Sequence, residues 1–449
     1  MQRRYRPACR RRRASHRQAA LLVAALSLPA ALPAQAEEGC EEGRPLADGL
    51  CVSTEAALDL LGNIRGGVRR GVAATGQIRL GLDADLDALA GLEGWRFHIS
   101  AFGIYGRQPG PTLTGSLAPP SNIEALSTFR LNEIWLQRDL GGWGSIRFGQ
   151  LAADSEFTSA EAAGKLISTA FGWPAMLANA LPGGGPAYPL AVPGLRLALG
   201  DPEAGSGLRL GLFAGDPAGR PGEGTDPQRH NRYGTNFSFS GGALMMAEAV
   251  TGGAAPGSGP RPWVVKLGAW YHTADVDAQR RGADGFSLSD PAGSGVPRRY
   301  GQNYGGYAIG EATLWRGEAG SLGVFARLFA APPDRNLIGL QMDAGLAWRG
   351  AFGRTDDTLS FGVSLARIGS AARGLDRDRQ SFGEERTRRD HETVLEVNYD
   401  LAVVPGHLSL RPVVQWIGHP GAREPDERVS ATRPLKDALL LGLRVTATF

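Results

Sequence analysis

The sequence is poor in the residues that carry most protein chemistry, with three cysteines, five methionines and seven histidines in 449 positions. The histidines stand singly, without the close spacing of metal ligands. No H-E-x-x-H, G-x-S-x-G, C-x-x-C, P-loop or G-x-G-x-x-G occurs, so the signatures of zinc hydrolases, α/β-hydrolases, dithiol redox enzymes and nucleotide-binding domains are missing. Acid pairs such as Asp356 and Asp357 fall in turn-rich sequence and read as solvated surface, not as a catalytic couple. After Ala36 no uncharged apolar run reaches the length of about 18 residues that a membrane helix needs, which leaves crossing by strands open. The chain reads as a protein without enzymatic activity, metal or cofactor.

Excess positive charge is also missing once the start is set aside. Residues 1–18 carry eight arginines and no acid, followed by "AALLVAALSLPAALPA" from Ala19 and small residues "AQA" ending at Ala36. A basic start, a short apolar stretch broken by Pro29 and Pro33, and a small-residue cleavage site describe a secretory signal peptide over residues 1–36. Removing its eight arginines turns a formal +3 into −5, which takes away the main support for nucleic-acid binding. Cys9 leaves with the leader. Cys40 and Cys51 remain in a short periplasmic N-terminal segment, residues 37–54; an exported protein is expected to bond them, and two free thiols in a tail are the alternative.

What is abundant is alternation. In "DALLLGLRVTATF" the residues Leu439, Leu441, Leu443, Val445, Ala447 and Phe449 share one face, opposite Leu440, Gly442, Arg444, Thr446 and Thr448. That is the period of a strand with one apolar side. "LSLRPVVQWIG", "ETVLEVNYDL", "LSFGVSLA" and "WVVKLGAWYH" repeat it, with Pro412 as a local obstacle to pairing. About sixteen such segments start near residues 55, 75, 95, 132, 144, 194, 207, 243, 262, 304, 321, 338, 357, 391, 407 and 437. Connections after even segments are mostly short, as in "GGWG", "DPEAGS" and "RGEAGS", and those after odd segments are mostly long. Short turns at one end and long loops at the other are the plan of a transmembrane antiparallel β-barrel, here over residues 55–449.

Trp95, Trp143, Trp263, Trp315, Trp348 and Trp416 fall at or near segment ends, where aromatic girdles sit. Phe449, directly after an alternating strand, fits the signal read by the outer-membrane assembly machinery. A barrel of sixteen strands leaves an aqueous channel.

The runs "GNIRGG" (62–67), "GQLAADSEF" (149–157), "FGWPAMLANALPGGGPAYPLAVPGLRL" (171–197), "DPQRHNRYGTNF" (226–237) and "DDTLSFGVSLARIGSAARGLDRD" (356–378) resemble the carbohydrate-selective outer-membrane porins of the OprB type, over about residues 58–449. The resemblance implies a sixteen-stranded barrel in the outer membrane of a Gram-negative bacterium, giving passive diffusion of glucose and similar small sugars. It also implies that the third long loop, after the fifth strand, folds inward and narrows the channel. Monomer and homotrimer both remain open. Two rival readings are a general or anion-preferring small-solute porin, and a secreted soluble β-rich carbohydrate-binding protein or enzyme.

Parity nominates the residues that face the solute: Glu133, Trp135, Gln137, Arg147, Lys266, Trp270, His272, Glu396, Arg411, Gln415 and Arg444. From the third loop, Trp173 and Tyr188 offer flat faces for sugar rings. Bases with acids beside them suit a neutral, hydroxyl-rich solute better than an anion. Inward charges that only pair with one another are the simpler alternative, and Arg65, Arg69 and Arg70 read as rim residues. The charged run "RGLDRDRQSFGEERTRRDHE" is expected in an extracellular loop that meets water or lipopolysaccharide.

Overall fold

The computed structural model describes residues 40, 43–202, 205–219, 226–253 and 262–449, so the leader lies outside the described residues. Sixteen barrel strands follow one another, with two short paired ribbons in the connections: β1 Leu50–Arg65, β2 Gly71–Asp85, β3 Trp95–Gly106, β4 Thr128–Asp139, β5 Gly144–Leu151, β6 Val192–Asp201, β7 Ser206–Ala214 and β8 Ala243–Gly253. The second half comprises β9 Trp263–His272, β10 Asn303–Gly317, β11 Gly320–Ala330, β12 Ile338–Arg349, β13 Thr358–Ile368, β14 His391–Val404, β15 Leu408–Gly418 and β16 Ala438–Thr448. Each pairs antiparallel with its sequence neighbours, and β16 closes on β1 with Leu58 opposite Val445 and Asp59 opposite Arg444. Closure leaves no barrel strand with an unpaired edge, which a bilayer requires.

The polarity of the wall is inverted relative to a soluble domain. Leu441, Val414, Val397 and Leu267 are exposed, while Arg444, Gln415, Glu396 and Asp59 are buried. Exposed apolar residues on the outer face meet lipid, and polar residues point inward. The parity changes once within β4: Arg130 and Asn132 are buried before the register shift, and Glu133 and Gln137 after it. An extra residue re-aims every side chain that follows it. Pro412 is accommodated by a gap in the β14–β15 ladder, where pairing passes from Asn398 opposite Val413 directly to Leu401 opposite Leu410. The missing proline N–H falls in that gap.

Exposed aromatics gather at both rims. Trp263, Trp315 and Trp348 stand at the short-turn end, with Trp143 81% exposed in the turn after β4. Tyr105, Phe129, Tyr271 and Tyr304 stand at the long-loop end. β1 begins at Leu50, five residues before the sequence places it, so Cys51 belongs to the strand, and a disulfide joins it to Cys40. The short strand Arg44–Ala47 folds back on β1.

Candidate channel lining and the long connection after β5

The connection after β5, residues 152–191, has little regular structure: four single 3-10 turns and one short helix, α1 Ala175–Ala180. Such a segment carries many backbone groups that no ladder satisfies. Polar side chains of the barrel wall supply the partners. Carboxylates accept from its N–H groups: Glu133 of β4 from Ala152 at 2.9 Å, Glu248 of β8 from Thr158 at 3.2 Å and Glu311 of β10 from Glu161 at 2.7 Å. Glu396 of β14 accepts from Ile167 and Ser168 at 2.7 and 2.8 Å, and Gln341 of β12 accepts from Met176 at 2.9 Å. Cations and amides donate to its carbonyls. Arg327 of β11 reaches Ala170, Gly172 and Thr158 at 2.8, 2.9 and 3.2 Å, and is itself held by Asp343 at 2.8 Å. Lys266 of β9 donates to Ser159, Asn398 of β14 to Lys165, and Asn303 of β10 to Ala180 at 2.8, 3.1 and 3.0 Å.

The connection after β3, residues 107–127, is fastened in the same way. Glu392 of β14 accepts from Leu117 and Ala118 at 2.8 and 2.9 Å, and Gln415 of β15 donates to Pro120 at 2.9 Å. The ion pair of Arg444 with Asp59, 2.6 and 2.7 Å, extends to Asn122 and Ser121. Direct bonds join the two connections: Thr169 N–H donates to Pro119, and the Tyr188 hydroxyl donates to Ile123 at 2.8 Å. Burial pushes the carboxyl of Asp154, which accepts the Tyr188 N–H, up to about 6. It pushes Glu124, which accepts from Gly110, up to about 8.

A second cluster lies on β4 to β8. Arg147 and Arg196 both grip Glu156, at 2.7 and 2.8 Å, and Arg209 pairs with Glu248 at 2.9 Å. Gln137 accepts from Arg147 and Arg196 at 2.8 and 2.9 Å. The half-buried indole of Trp135 has His98 stacked at 5.0 Å and the Arg147 guanidinium 3.8 Å from the ring centroid. Arg411 of β15 pairs with Asp400, and Lys266 lies 3.9 Å from Glu311.

The nominated residues thus divide by what they touch. Glu133, Glu396, Gln415, Arg444 and Tyr188 are committed to backbone or carboxylate partners, and Trp173 donates its N–H to Gly184 at 2.9 Å. His272 is buried and bonds the Gly215 carbonyl at 2.9 Å; Trp270 is buried in the apolar cluster. Trp135, Gln137 and Arg147 come together in one group. Sequence reading passed over Asp59, Glu156, Arg196, Arg209, Glu248, Arg327 and Asp343. The alternation of Arg196, Arg209 and Arg327 was visible in "GLRLALG", "GLRLGLF" and "GVFARLF", but the glycines and alanines around them blurred the polar face. Arg79 was missed too; it shares the inward face of Thr75 and Gln77, is exposed, and stands opposite Glu55 in the ladder.

A family model described as the carbohydrate-selective porin, OprB family, matches residues 69–449. The high-pH structure of OprB from Pseudomonas putida superposes with a TM-score of 0.76 at 19% identity, covering 89% of this chain and 94% of that one. Its low-pH structure gives 0.50 at 16% identity, over 89% and 93%. The anion-selective porin from Comamonas acidovorans gives 0.50 at 8% identity, over 90% and 100%. At such identities these structures speak for the fold alone. Among curated proteins no match was found. The match over most of the barrel decides the matter: the chain belongs to the OprB family of carbohydrate-selective porins, channels of the outer membrane.

Proposed function

We propose that the channel gives neutral monosaccharides such as glucose a passive path, narrowed by residues 152–191 folded into the lumen. The observation that carries this reading is the set of wall side chains from β4, β8, β9, β10, β11, β12, β14 and β15 that all bond this one segment. Strands on opposite sides of a closed barrel reach the same segment together only through the interior. Selectivity then follows from width and lining. Trp135, Gln137, Arg147, Lys266, Arg411 and Trp173 meet the solute, joined by Arg79. Glu133 and Glu396 act through the walls of the passage by fixing the segment, Gln415, Arg444 and Tyr188 by tying in the connection after β3, His272 by holding the Gly215 carbonyl, and Trp270 by packing in the apolar cluster. The partly exposed cations Arg147, Lys266 and Arg411 each have a carboxylate close by, in Glu156, Glu311 and Asp400. Paired charges offer hydroxyl groups donors and acceptors without a strong net field.

The test is the zero-current potential of reconstituted channels in a salt gradient. A lumen of paired charges gives weak ion selectivity; a strong anion preference supports the rival reading. The leader is proposed to be removed on export, which the mass of the mature protein tests. The aromatic rims are proposed to sit at the two lipid interfaces.

A further inference from the structure

Three side chains at the long-loop rim converge without serving the channel. Asp390 directly precedes β14, His391 opens that strand, and His419 directly follows β15; the register, Thr393 opposite Gly418, sets them side by side. Nδ1 of His419 lies 3.2 Å from Oδ1 of Asp390, and Nδ1 of His391 lies 3.5 Å from Oδ2. One ligand atom from each of the three fits within a span of 4.8 Å. Zinc bonds of about 2.0–2.1 Å at tetrahedral angles put ligand atoms about 3.3 Å apart. The 3.2 Å between His419 and Asp390 matches two ligands of one shell, and the His391 ring stands within reach of the same centre.

These atoms are close yet not hydrogen-bonded to each other. Nδ1 of His419 is buried and has no hydrogen-bond partner, although the carboxylate is 3.2 Å away. The turn that brings His419 into place is strained: His419, Ala422 and Arg423 are three of the five non-glycine residues with positive φ among the described residues. Strain of that kind persists where the surroundings over-determine it, and it clusters at binding sites.

A cation already stands at the cluster. Nε of Arg423 lies 2.7 Å from Oδ2 of Asp390, and its Nη2 donates to Nε2 of His419 at 3.0 Å. That bond puts the imidazole proton on Nδ1. Arg423 is 42% exposed, so it has solvent to swing into, and its departure lets the proton move to Nε2 and frees Nδ1 to bind a metal. Other charges nearby are engaged elsewhere: Arg389 grips Asp376, and Asp437 accepts the backbone N–H of His419.

We infer that Asp390, His391 and His419 form a divalent transition-metal site, with zinc as the fitting ion, that fastens the turn after β15 to the start of β14 and exchanges the metal for the Arg423 guanidinium. The experiment is calorimetric titration of untagged, detergent-purified protein with zinc chloride, with unheated gel mobility confirming that each variant is folded. Wild type is expected to bind one ion per chain, Arg423→Ala at least tenfold more tightly, and the His391→Ala, His419→Ala double variant at least tenfold more weakly. Absence of saturable binding in both wild type and Arg423→Ala overturns the site. So does binding that the double variant leaves undiminished. Unchanged affinity in Arg423→Ala overturns the exchange.

Discussion

The Glu396 carboxylate on β14 accepts the backbone N–H of Ile167 at 2.7 Å, linking the barrel wall to a connection 229 residues earlier in the chain. The neighbouring Ser168 N–H binds the second oxygen, and Asn398 and Gln415 donate to the same carboxylate. Two buried N–H groups therefore depend on one side chain. Glu396→Ala leaves them without partners, a cost of about 1–3 kcal/mol each. Hydrogen exchange at Ile167 and Ser168 reports the result. It is expected to be at least tenfold faster in Glu396→Ala, with Glu396→Gln intermediate, because its amide carbonyl keeps one of the two bonds. Equal rates contradict the anchoring role.

Arg327 and Asp343 form a fully buried pair at 2.8 Å whose cation also binds three carbonyls of the 152–191 segment. Removing one member of a buried pair costs about 3–5 kcal/mol, since the other charge stays behind. Arg327→Ala is expected to lower the temperature at which the barrel loses its compact, unheated gel mobility and to widen the channel. Replacing both residues, Arg327→Met with Asp343→Leu, restores much of the thermal loss but not the fastening of the segment, so conductance stays high. A normal conductance in Arg327→Ala refutes the link between this pair and the passage.

Glu124 gives the passage a pH dependence. Burial raises its pKa to about 8, well above the 4.5 of a free glutamate, so the folded state holds the proton more tightly than the unfolded one. The stability it contributes is complete below pH 4.5 and is lost as pH rises through about 8. Hydrogen exchange in residues 107–127, corrected for intrinsic rates, is expected to accelerate as pH rises from 4.5 to about 8 and to level off above. Glu124→Gln is neutral throughout and flattens that profile. An unchanged profile in the variant rules out this group as the cause.

Trp135, half-buried with Arg147 3.8 Å over one face of its ring, is the aromatic we propose for a sugar ring. Arg147→Ala frees that face but loses the donor to Gln137 and Glu156, while Trp135→Ala loses the platform. Glucose block of single-channel current is expected to weaken several-fold in both. Tyr188→Phe loses the hydroxyl's bonds, that to Ile123 among them, and is expected to leave the block within twofold of wild type. A stronger effect of Tyr188→Phe than of Trp135→Ala reverses this assignment.

Strands and their faces were legible in the sequence because alternation is a local property: Gln415, Glu396 and Arg444 point inward as parity requires. The partners of those side chains were not legible. Nothing near Glu396 in sequence announces Ile167, and the union is made by barrel closure, a long-range event. Residues that read as solute contacts, such as His272 and Tyr188, turn out to satisfy backbone carbonyls, a need created only once loops are packed against the wall. The register shift in β4 hid Arg130 and Asn132, since parity counted from Glu133 assigns both to the other face.

Liposome swelling tests the central claim most directly. Purified protein reconstituted into vesicles is expected to admit glucose faster than a charged solute of similar size and much faster than larger sugars, with Arg327→Ala narrowing those differences. Equal rates for all solutes of one size contradict carbohydrate selectivity, and vesicles that do not swell at all contradict the channel.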